Sequence, residues 1–245
     1  MEFRYAPALL HDYAHICGGI LHGVGLRNGP APAELTAAYR AEQAAVAARV
    51  AASASEIPSL AAWRQSFRRF GVNPTKVRSA AEALLRRLDK KGDIPSINTL
   101  VDIGNLVSIR YALPVALFDL RGASGGATGA ITVRAATGDE RFRELDSVEV
   151  SHPEPGEVIF VDEQGTVIAR RWCWRQSAES AAREDTTEVL VTVEAQHVGG
   201  RADVVAAVTD LRRLLETYAG GEYTGAILDA EHPSFMGMGI RPLSS

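Results

Sequence analysis

Two polar residues inside a largely apolar stretch, Asp102 and Asn105, are the first candidates for chemistry. They are three positions apart, so on a helix they lie on one face. A buried asparagine has up to four hydrogen bonds to satisfy and usually orients a neighbour or a ligand. The bland alternative is that the pair caps a local loop. The apolar residues around them recur at helical spacing, at Leu100, Ile103, Val107 and Tyr111.

A second candidate group lies on an alternating stretch at residues 189–197, VLVTVEAQH. If this stretch is a strand, Thr192, Glu194 and Gln196 share one face and the valines share the other. A row of threonine, glutamate and glutamine can line a pocket. It can equally be the solvent face of a half-buried sheet.

The segment 171–176, RWCWRQ, combines tryptophan with arginine. As a strand it would place Trp172 and Trp174 on one face, and Arg171, Cys173 and Arg175 on the other. Aromatic rings beside arginines can stack a base or an aminoacyl adenosine and bind phosphate. The alternative is a core tryptophan pair with arginines at the sheet edge. Cys173 has no histidine with a supporting acid nearby, so we interpret it as a small buried thiol rather than a nucleophile.

Two other patterns are weaker. Residues 122–126, GASGG, match G-x-S-x-G, and Asp203 or Asp229 precedes His232 in hydrolase order. A nucleophile elbow needs a helix after the serine, whereas residues 130–135 have a strand pattern, so a hairpin loop is favoured. A second group has ligand types that suit zinc but a spacing that matches no standard motif, so we predict neither a metal site nor a cofactor. It consists of His11, His15, Cys17 and His22.

Size and composition are those of an ordinary soluble globular protein. The chain has 245 residues, 46% hydrophobic and 23% charged, enough for one large domain or two small ones. Two cysteines give no disulfide framework, and we see no signal peptide and no membrane-spanning run. A cytoplasmic location without membrane partners is the expectation.

Charge is distributed unevenly. Residues 64–91 hold nine basic and two acidic side chains, so this segment carries +7 and the rest −11, given a net charge of −4. The net charge argues against a general nucleic-acid coat protein, but such a segment can be a phosphate-contacting face. The alternative is a solvated helical face.

The pattern along the chain predicts an α+β fold. We expect one or two short strands in 2–26 and helices over 32–54, 58–70 and 74–91, the last ending at Gly92. The central helix should begin at a cap on Ser96 or Asn98 and end before Pro114. Seven strands should follow, including 167–174, and then a covering helix over 201–218 and a loop-like tail from Tyr223. This is a helical front half packed on a mostly antiparallel sheet.

The ordered motifs resemble a known family, the B3/4 domain of the phenylalanyl-tRNA synthetase beta chain. The matching pieces, in the family's order, are VDIGN, LPVALFDL, GAITVRAATGDERFREL, GEVIFVDEQG and REDTTEVLVTVEA. The chain resembles still more closely the free-standing proteins built from this domain, which share an arginine-rich segment like FRRFGVNPTKVRSAAEALLRRL and an element like RWCWRQ. The resemblance covers roughly residues 60–220. We therefore expect a single B3/4-like domain over 1–245, with a helical extension at 1–59.

The resemblance implies a pocket that hydrolyses wrongly attached amino acids from tRNA without a metal. The family's Thr-Asn pair aligns with Gly104-Asn105, so the hydroxyl is lost, and its histidine aligns with Ala116. Its recognition glycine falls near Cys173, and its pocket glutamate aligns with Thr192 or, with a shift of two, Glu194. These departures indicate a pocket rebuilt for another substrate, or one without catalysis.

The leading hypothesis is a trans-acting aminoacyl-tRNA hydrolase. Asn105 would orient the substrate or water, and Glu194 would bind the α-amino group or help the water. Substrate-binding positions would be Gly104, Ala116, Cys173, Arg175, Gln176 and Thr192. Phosphates of tRNA, and not of DNA, would be held by Arg68, Arg69, Lys76, Arg78, Arg86 and Arg87. A non-catalytic tRNA-binding module and an amino-acid-binding protein without an RNA role remain the alternatives.

Overall fold

The computed structural model describes residues 1–50, 56–121 and 129–237. Helices and strands alternate at the N-terminus, helices dominate the next stretch, and strands dominate the rest. The helices are α1 (Pro7–Asp12), α2 (Ala33–Val50), α3 (Pro58–Arg69), α4 (Ala80–Lys91), α5 (Thr99–Tyr111) and α6 (Gly200–Tyr218). The strands are β1 (Glu2–Tyr5), β2 (Cys17–Val24), β3 (Val115–Asp119), β4 (Ala130–Ala135), β5 (Phe142–Arg143), β6 (Val150–Ser151), β7 (Val158–Asp162), β8 (Val167–Arg170), β9 (Arg175–Gln176), β10 (Glu188–Ala195), β11 (Glu222–Leu228) and β12 (Ser234–Met236).

The strands form two main sheets rather than one. The larger has the order β12-β1-β4-β7-β8-β9 and the smaller β11-β2-β10-β3, while β5 and β6 pair separately. Apart from the parallel pair β1–β4, the neighbouring strands are antiparallel. The α+β class and the covering helix α6 are therefore confirmed, with the sheet divided in two.

Two apolar cores hold the layers together. One lies between the four-stranded sheet and the helices, where Leu106 of α5 and Leu211 of α6 pack with Val191 of β10. The other lies between the two sheets and includes Phe118 and Phe160. The four-stranded sheet is thus covered on both faces, which explains the nearly continuous burial of β2 and β10.

Local signals set several helix ends as expected. The Asn98 side chain accepts a hydrogen bond from the Val101 N–H at 3.0 Å, so Asn98 is the cap of α5. Gly92 ends α4 with φ of 77°, a left-handed value that favours glycine.

Three expectations were wrong. Helix α4 begins at Ala80 with Ser79 as its cap, not near Pro74. The tail from Tyr223 is not a loop, because β11 and β12 add strands to both sheets. The predicted strand through Trp174 ends at Arg170 and continues as a turn.

Within 1–50, 56–121 and 129–237, no helix combines the length and apolar character needed to cross a membrane.

Candidate functional site

A cavity of about 230 Å³ lies at the outer edge of β3, between α5, the two sheets and the turn after β8. We call it the β3-edge cavity. It is lined by all eight residues that were predicted from the sequence to contact the substrate or to act in catalysis, although these residues are far apart along the chain. They are Gly104, Asn105, Ala116, Cys173, Arg175, Gln176, Thr192 and Glu194.

Glu194 provides a buried carboxyl group in the cavity wall. Its side chain is on the face of β10 that looks toward the six-stranded sheet, and the residue is 2% exposed. Its Oε1 accepts hydrogen bonds from the Tyr5 hydroxyl at 2.7 Å and from the Trp172 indole N–H at 3.0 Å. Both donors reach the same oxygen.

Burial governs the ionisation of Glu194. Loss of hydration raises its pKa from 4.5 to about 7, and the hydrogen bonds from Trp172 and Tyr5 only partly oppose that rise. No described residue forms a salt bridge with it. The group therefore exchanges a proton near neutral pH and can act as a base or receive a cationic ligand.

The two polar residues of α5 have separate roles. Asp102 is fully buried and accepts hydrogen bonds from the Ser96 hydroxyl and, at 2.8 Å, from the Ile97 N–H. Asp102 therefore stabilises the loop before α5, which is the capping role that we considered as the alternative for this pair. Asn105 instead lines the β3-edge cavity.

Gly104 and Ala116, which the resemblance aligned with a threonine and a histidine of the family, border the cavity. A Cβ atom on Gly104 would come within 2.3 Å of Leu117 Cδ1, so a larger residue there would force the Leu117 side chain to move. Ala116 pairs with Thr192 in the β3–β10 ladder. Thr192 is likewise buried and shares the face of Glu194.

The turn after β8 places Cys173, and it contradicts the predicted strand. Arg171 and Trp172 have φ values of 47° and 62°, both in the left-handed region that non-glycine residues seldom adopt. Buried Glu157 holds this turn. It pairs with Arg170 through two hydrogen bonds of 2.9 and 2.8 Å, and it accepts the Arg171 N–H at 2.9 Å.

The turn separates the two tryptophans. Trp172 is fully buried beside Trp63, whereas Trp174 is only partly buried. The guanidinium carbons of Arg171 and Arg175 lie 4.2 and 4.5 Å from the Trp174 ring centroid, within cation–π range. Each of the two interpretations from the sequence therefore holds for one tryptophan. Trp172 belongs to the core, and Trp174 stacks with the arginines.

Cys173 is protonated at neutral pH. Burial, and then the charge of Glu194, raise the pKa of its thiol well above the usual value. A thiol that resists ionisation is a poor nucleophile. The sequence predicted a small buried thiol. The structure places Cys173 only partly buried in the cavity wall, and the absence of a nucleophilic role stays a prediction.

Half of the six predicted tRNA-contacting residues serve the protein's own structure. Glu82, 1% exposed, accepts hydrogen bonds from Arg64 at 2.7 Å and from Arg86 at 2.8 Å, and Arg78 lies 3.8 Å away. Arg87 hydrogen-bonds the Asp93 carbonyl at 3.1 Å. The basic segment therefore closes partly on itself around one buried carboxylate.

The remaining cations differ in their freedom. Arg69 stacks on Tyr13 and lies 3.8 Å from Asp12. Arg68 and Lys76 are exposed and have no ion pair within the part of the chain that the structure describes. Lys76 also lines a small hollow together with Arg171, whose guanidinium stacks on Trp174 at the rim of the β3-edge cavity.

Two further patterns from the sequence concern a group of possible metal ligands and a hydrolase motif. Among the described ranges, no three histidine, cysteine or acidic side chains gather as metal ligands. His22 pairs with Glu188 at 2.8 Å, away from His11, which is exposed. The G-x-S-x-G pattern lies within 122–128, outside the described residues.

Sequence reasoning missed the partners of Glu194. Tyr5 is 189 positions from Glu194, and no motif marks it. Trp63, whose indole N–H reaches the Glu194 carbonyl at 3.4 Å, lies in an amphipathic helix where a core role is the ordinary expectation.

The chain is similar in sequence to known proteins. Two curated relatives are phenylalanine–tRNA ligase beta subunits. That of Shewanella oneidensis is 30% identical over 46% of this chain and 14% of its own length, and that of Geobacter metallireducens is 34% identical over 44% and 13%. The chain therefore matches a small part of each relative.

A solved structure is also similar, an N-terminal fragment of the phenylalanyl-tRNA synthetase beta-subunit from Pyrococcus horikoshii. It has a TM-score of 0.46 and 11% identity, over 90% of this chain and 49% of that one. The sequence profile of the B3/4 domain matches residues 62–217, which is more than half of the chain. The protein belongs to the B3/4 domain family.

Proposed function

We propose that this protein is a trans-acting aminoacyl-tRNA hydrolase whose active site is the β3-edge cavity. The observation that carries the proposal is the carboxyl of Glu194, buried in the cavity wall with a pKa of about 7 and no cationic partner among the described residues. The relatives are named as tRNA ligases for phenylalanine, which makes a charged tRNA the natural substrate class.

The chemistry is attack of water on the ester carbonyl that joins the amino acid to the terminal ribose. Ionised Glu194 accepts a proton from the water, and when the tetrahedral intermediate collapses Glu194 returns that proton to the departing ribose oxygen. A base with a pKa near the working pH is efficient in this role. Asn105 lines the same cavity from α5, on the other face of the four-stranded sheet, and would orient the ester or the water by hydrogen bonds.

The size of the site fits a small acyl group. A volume of about 230 Å³ is below the ~300–1,000 Å³ typical of pockets for drug-sized ligands. The amino acid would enter the β3-edge cavity while the nucleic acid remains outside. Arg68, Lys76 and the arginines beside Trp174 would contact its phosphates. This is supported by the exposure of Arg68 and Lys76 and by the hollow that Lys76 shares with Arg171.

The test is deacylation of tRNA charged with each of a panel of non-cognate amino acids. The wild type should accelerate hydrolysis of at least one, and Glu194→Gln should reduce kcat/KM about 100-fold or more. Asn105→Ala should cost about 100-fold. Glu222→Gln, an exposed carboxylate on β11, is the control and should act like the wild type. A wild type without turnover on the whole panel would overturn the proposal.

A second function is favoured by one specific observation. The family's hydroxyl and histidine positions are Gly104 and Ala116, and neither can donate or accept a proton through its side chain. A non-catalytic module would bind charged tRNA through the same cavity. It would give saturable, salt-dependent binding, weakened by Glu194→Gln, without any hydrolysis.

A further inference from the structure

The β3-edge cavity passes around the free edge of a strand. In the four-stranded sheet β3 is the terminal strand and pairs with β10 alone. The cavity touches Ala116 and Thr192 on one face of this sheet, and Gly104 and Asn105 of α5 on the other. A cavity that reaches both faces must run along the outer edge of β3.

The hydrogen bonds of β3 show which backbone groups face outward. In an antiparallel strand, the N–H and C=O of one residue point to the same side, and the side alternates along the chain. Even-numbered residues point to β10, because Glu194 N–H donates to the Pro114 carbonyl and Leu120 N–H donates to the Glu188 carbonyl, both at 3.3 Å.

Odd-numbered residues point away from β10. Asp119 N–H donates to the Ser180 carbonyl at 2.8 Å, and the Gln176 side chain donates to the Leu117 carbonyl at 2.8 Å. These two contacts cover the far end of the edge. The N–H of Leu117 and both backbone groups of Val115 remain, and none has a hydrogen-bond partner among the described residues.

The remaining groups form a recognisable pattern. A carbonyl at one residue and an N–H two residues later are the pair that a parallel β-bridge presents to one residue of a neighbouring strand. That neighbour donates its nitrogen to the carbonyl and accepts the N–H on its own carbonyl oxygen. An extended aminoacyl ester carries the same two atoms, its α-ammonium and its ester carbonyl, on one side.

We infer that the free edge of β3 holds the aminoacyl part of the substrate as a one-residue β-bridge. The Val115 carbonyl accepts a hydrogen bond from the α-ammonium, and the Leu117 N–H donates to the ester carbonyl oxygen. This inference rests on the proposed function, and it names an α-aminoacyl group as the chemical class that the cavity takes.

The position of Glu194 agrees with this orientation. Its backbone N–H bonds Pro114, so the carboxyl stands at the Val115 end of the edge, where the ammonium would lie. The Leu117 N–H would then meet the oxygen that becomes negative during attack, a place where one fixed donor is worth about 10²–10³-fold in rate. Recognition through the main chain would also not depend on the side chains at 104 and 116, where the family's threonine and histidine are replaced.

The backbone donor can be removed without altering a side chain. Incorporating the α-hydroxy analogue of leucine at 117 replaces the amide by an ester and deletes that N–H. The same exchange at 198, with the valine analogue, is the matched control, because Val198 is exposed and does not line the cavity. Each exchange deletes an N–H that has no hydrogen-bond partner among the described residues and weakens one paired carbonyl, but the Val198 N–H has no role in the bridge.

Two readouts separate this inference from the proposed function. The first is hydrolysis of the charged tRNA, which the 117 ester should slow about 100-fold and the 198 ester less than about threefold. The second needs no catalysis. Amides of glycine, alanine, leucine, phenylalanine, tyrosine and lysine are titrated into ¹⁵N-labelled protein. At least one of them should bind and shift the signal of the Leu117 backbone amide. The affinity for that amino-acid amide should be about tenfold lower in the protein that carries the ester at 117.

The outcomes are distinct. Hydrolysis that is equally affected by the two esters, or an amide that binds without moving the Leu117 signal, overturns the β-bridge alone. A Leu117 shift without hydrolysis supports the bridge and overturns the enzyme. Neither binding nor hydrolysis with the whole panel overturns both.

Discussion

The Trp172 indole N–H and the Glu194 carboxyl meet at 3.0 Å in the interior of the protein, on the wall of the β3-edge cavity. The contact joins a strained turn after β8 to the central strand β10. Because the donor is neutral, it leaves the cost of a buried negative charge largely uncompensated. The ionised form of Glu194 therefore lowers the stability of the fold.

The first prediction concerns the pH dependence of stability. The pKa of Glu194 is raised from 4.5 to about 7 in the folded state, so the folded protein holds a proton that the unfolded chain loses above about pH 4.5. Wild-type stability should therefore fall between pH 4.5 and 7 and level off above 7. Glu194→Gln removes this loss, and its stability relative to wild type should rise by about 3 kcal/mol from pH 4 to pH 8.

Urea unfolding at several pH values measures this difference. The glutamine oxygen can still accept hydrogen bonds from Trp172 and Tyr5, so the variant should fold. Glu222→Gln, on an exposed position of β11, should give a curve parallel to that of the wild type. A parallel curve for Glu194→Gln as well would show that this carboxyl titrates normally.

The second prediction concerns Cys173. Since burial holds its thiol pKa well above the usual value, Cys173→Ala should keep hydrolysis within about threefold of the wild type. Iodoacetamide at pH 8 should modify Cys173 far more slowly than a free thiol, measured by mass spectrometry in a Cys17→Ala background. Rapid alkylation that abolishes activity would restore Cys173 as a nucleophile.

A third prediction divides the basic segment into two groups. Arg68→Ala with Lys76→Ala should lower the slope of log affinity for tRNA against log salt by about one to two units. Stability should change by less than about 0.5 kcal/mol, because both side chains are exposed and lack described ion pairs.

Arg86→Ala provides the contrasting control. It withdraws a 2.8 Å partner from the buried carboxylate of Glu82 and should destabilise the fold by about 1–2 kcal/mol, allowing for the partial exposure of Arg86. Thermal unfolding and filter binding across salt concentrations separate the two effects. Equal changes in stability for the two variants would contradict this division.

A fourth prediction concerns the packing of α5 on β3 at Gly104. At Gly104 a Cβ would lie 2.3 Å from Leu117 Cδ1, so Gly104→Thr should destabilise the protein by about 1–3 kcal/mol through overpacking. Leu117→Ala should relieve the clash. The double variant should be more stable than the sum of the two single changes predicts, by about 1 kcal/mol. Additive costs in denaturant unfolding would mean that Leu117 moves aside freely.

Much of the local structure follows from the sequence alone. The Asn98 cap, the Gly92 terminus and the strand pattern of residues 188–195 depend on neighbours within a few positions, so spacing and residue type are sufficient to predict them. The candidate residues could also be named, because the ordered motifs of the family carry them.

The relationships between residues that are distant along the chain arise only in the folded protein. The turn at Arg171 and Trp172 adopts positive φ because buried Glu157 and the core fix it, against the strand preference of its own residues. The basic segment looks like a free cationic face until Glu82 is seen to bind Arg64 and Arg86.

The site itself has the same origin. Glu194 gains its raised pKa only when folding buries it, against the opposing hydrogen bonds from Trp172 and Tyr5. The outward direction of the Leu117 N–H is defined only by the register of β3 on β10. The residue types at these positions can be read from the sequence. Desolvation and strand register, which arise only on folding, decided what those residues can do.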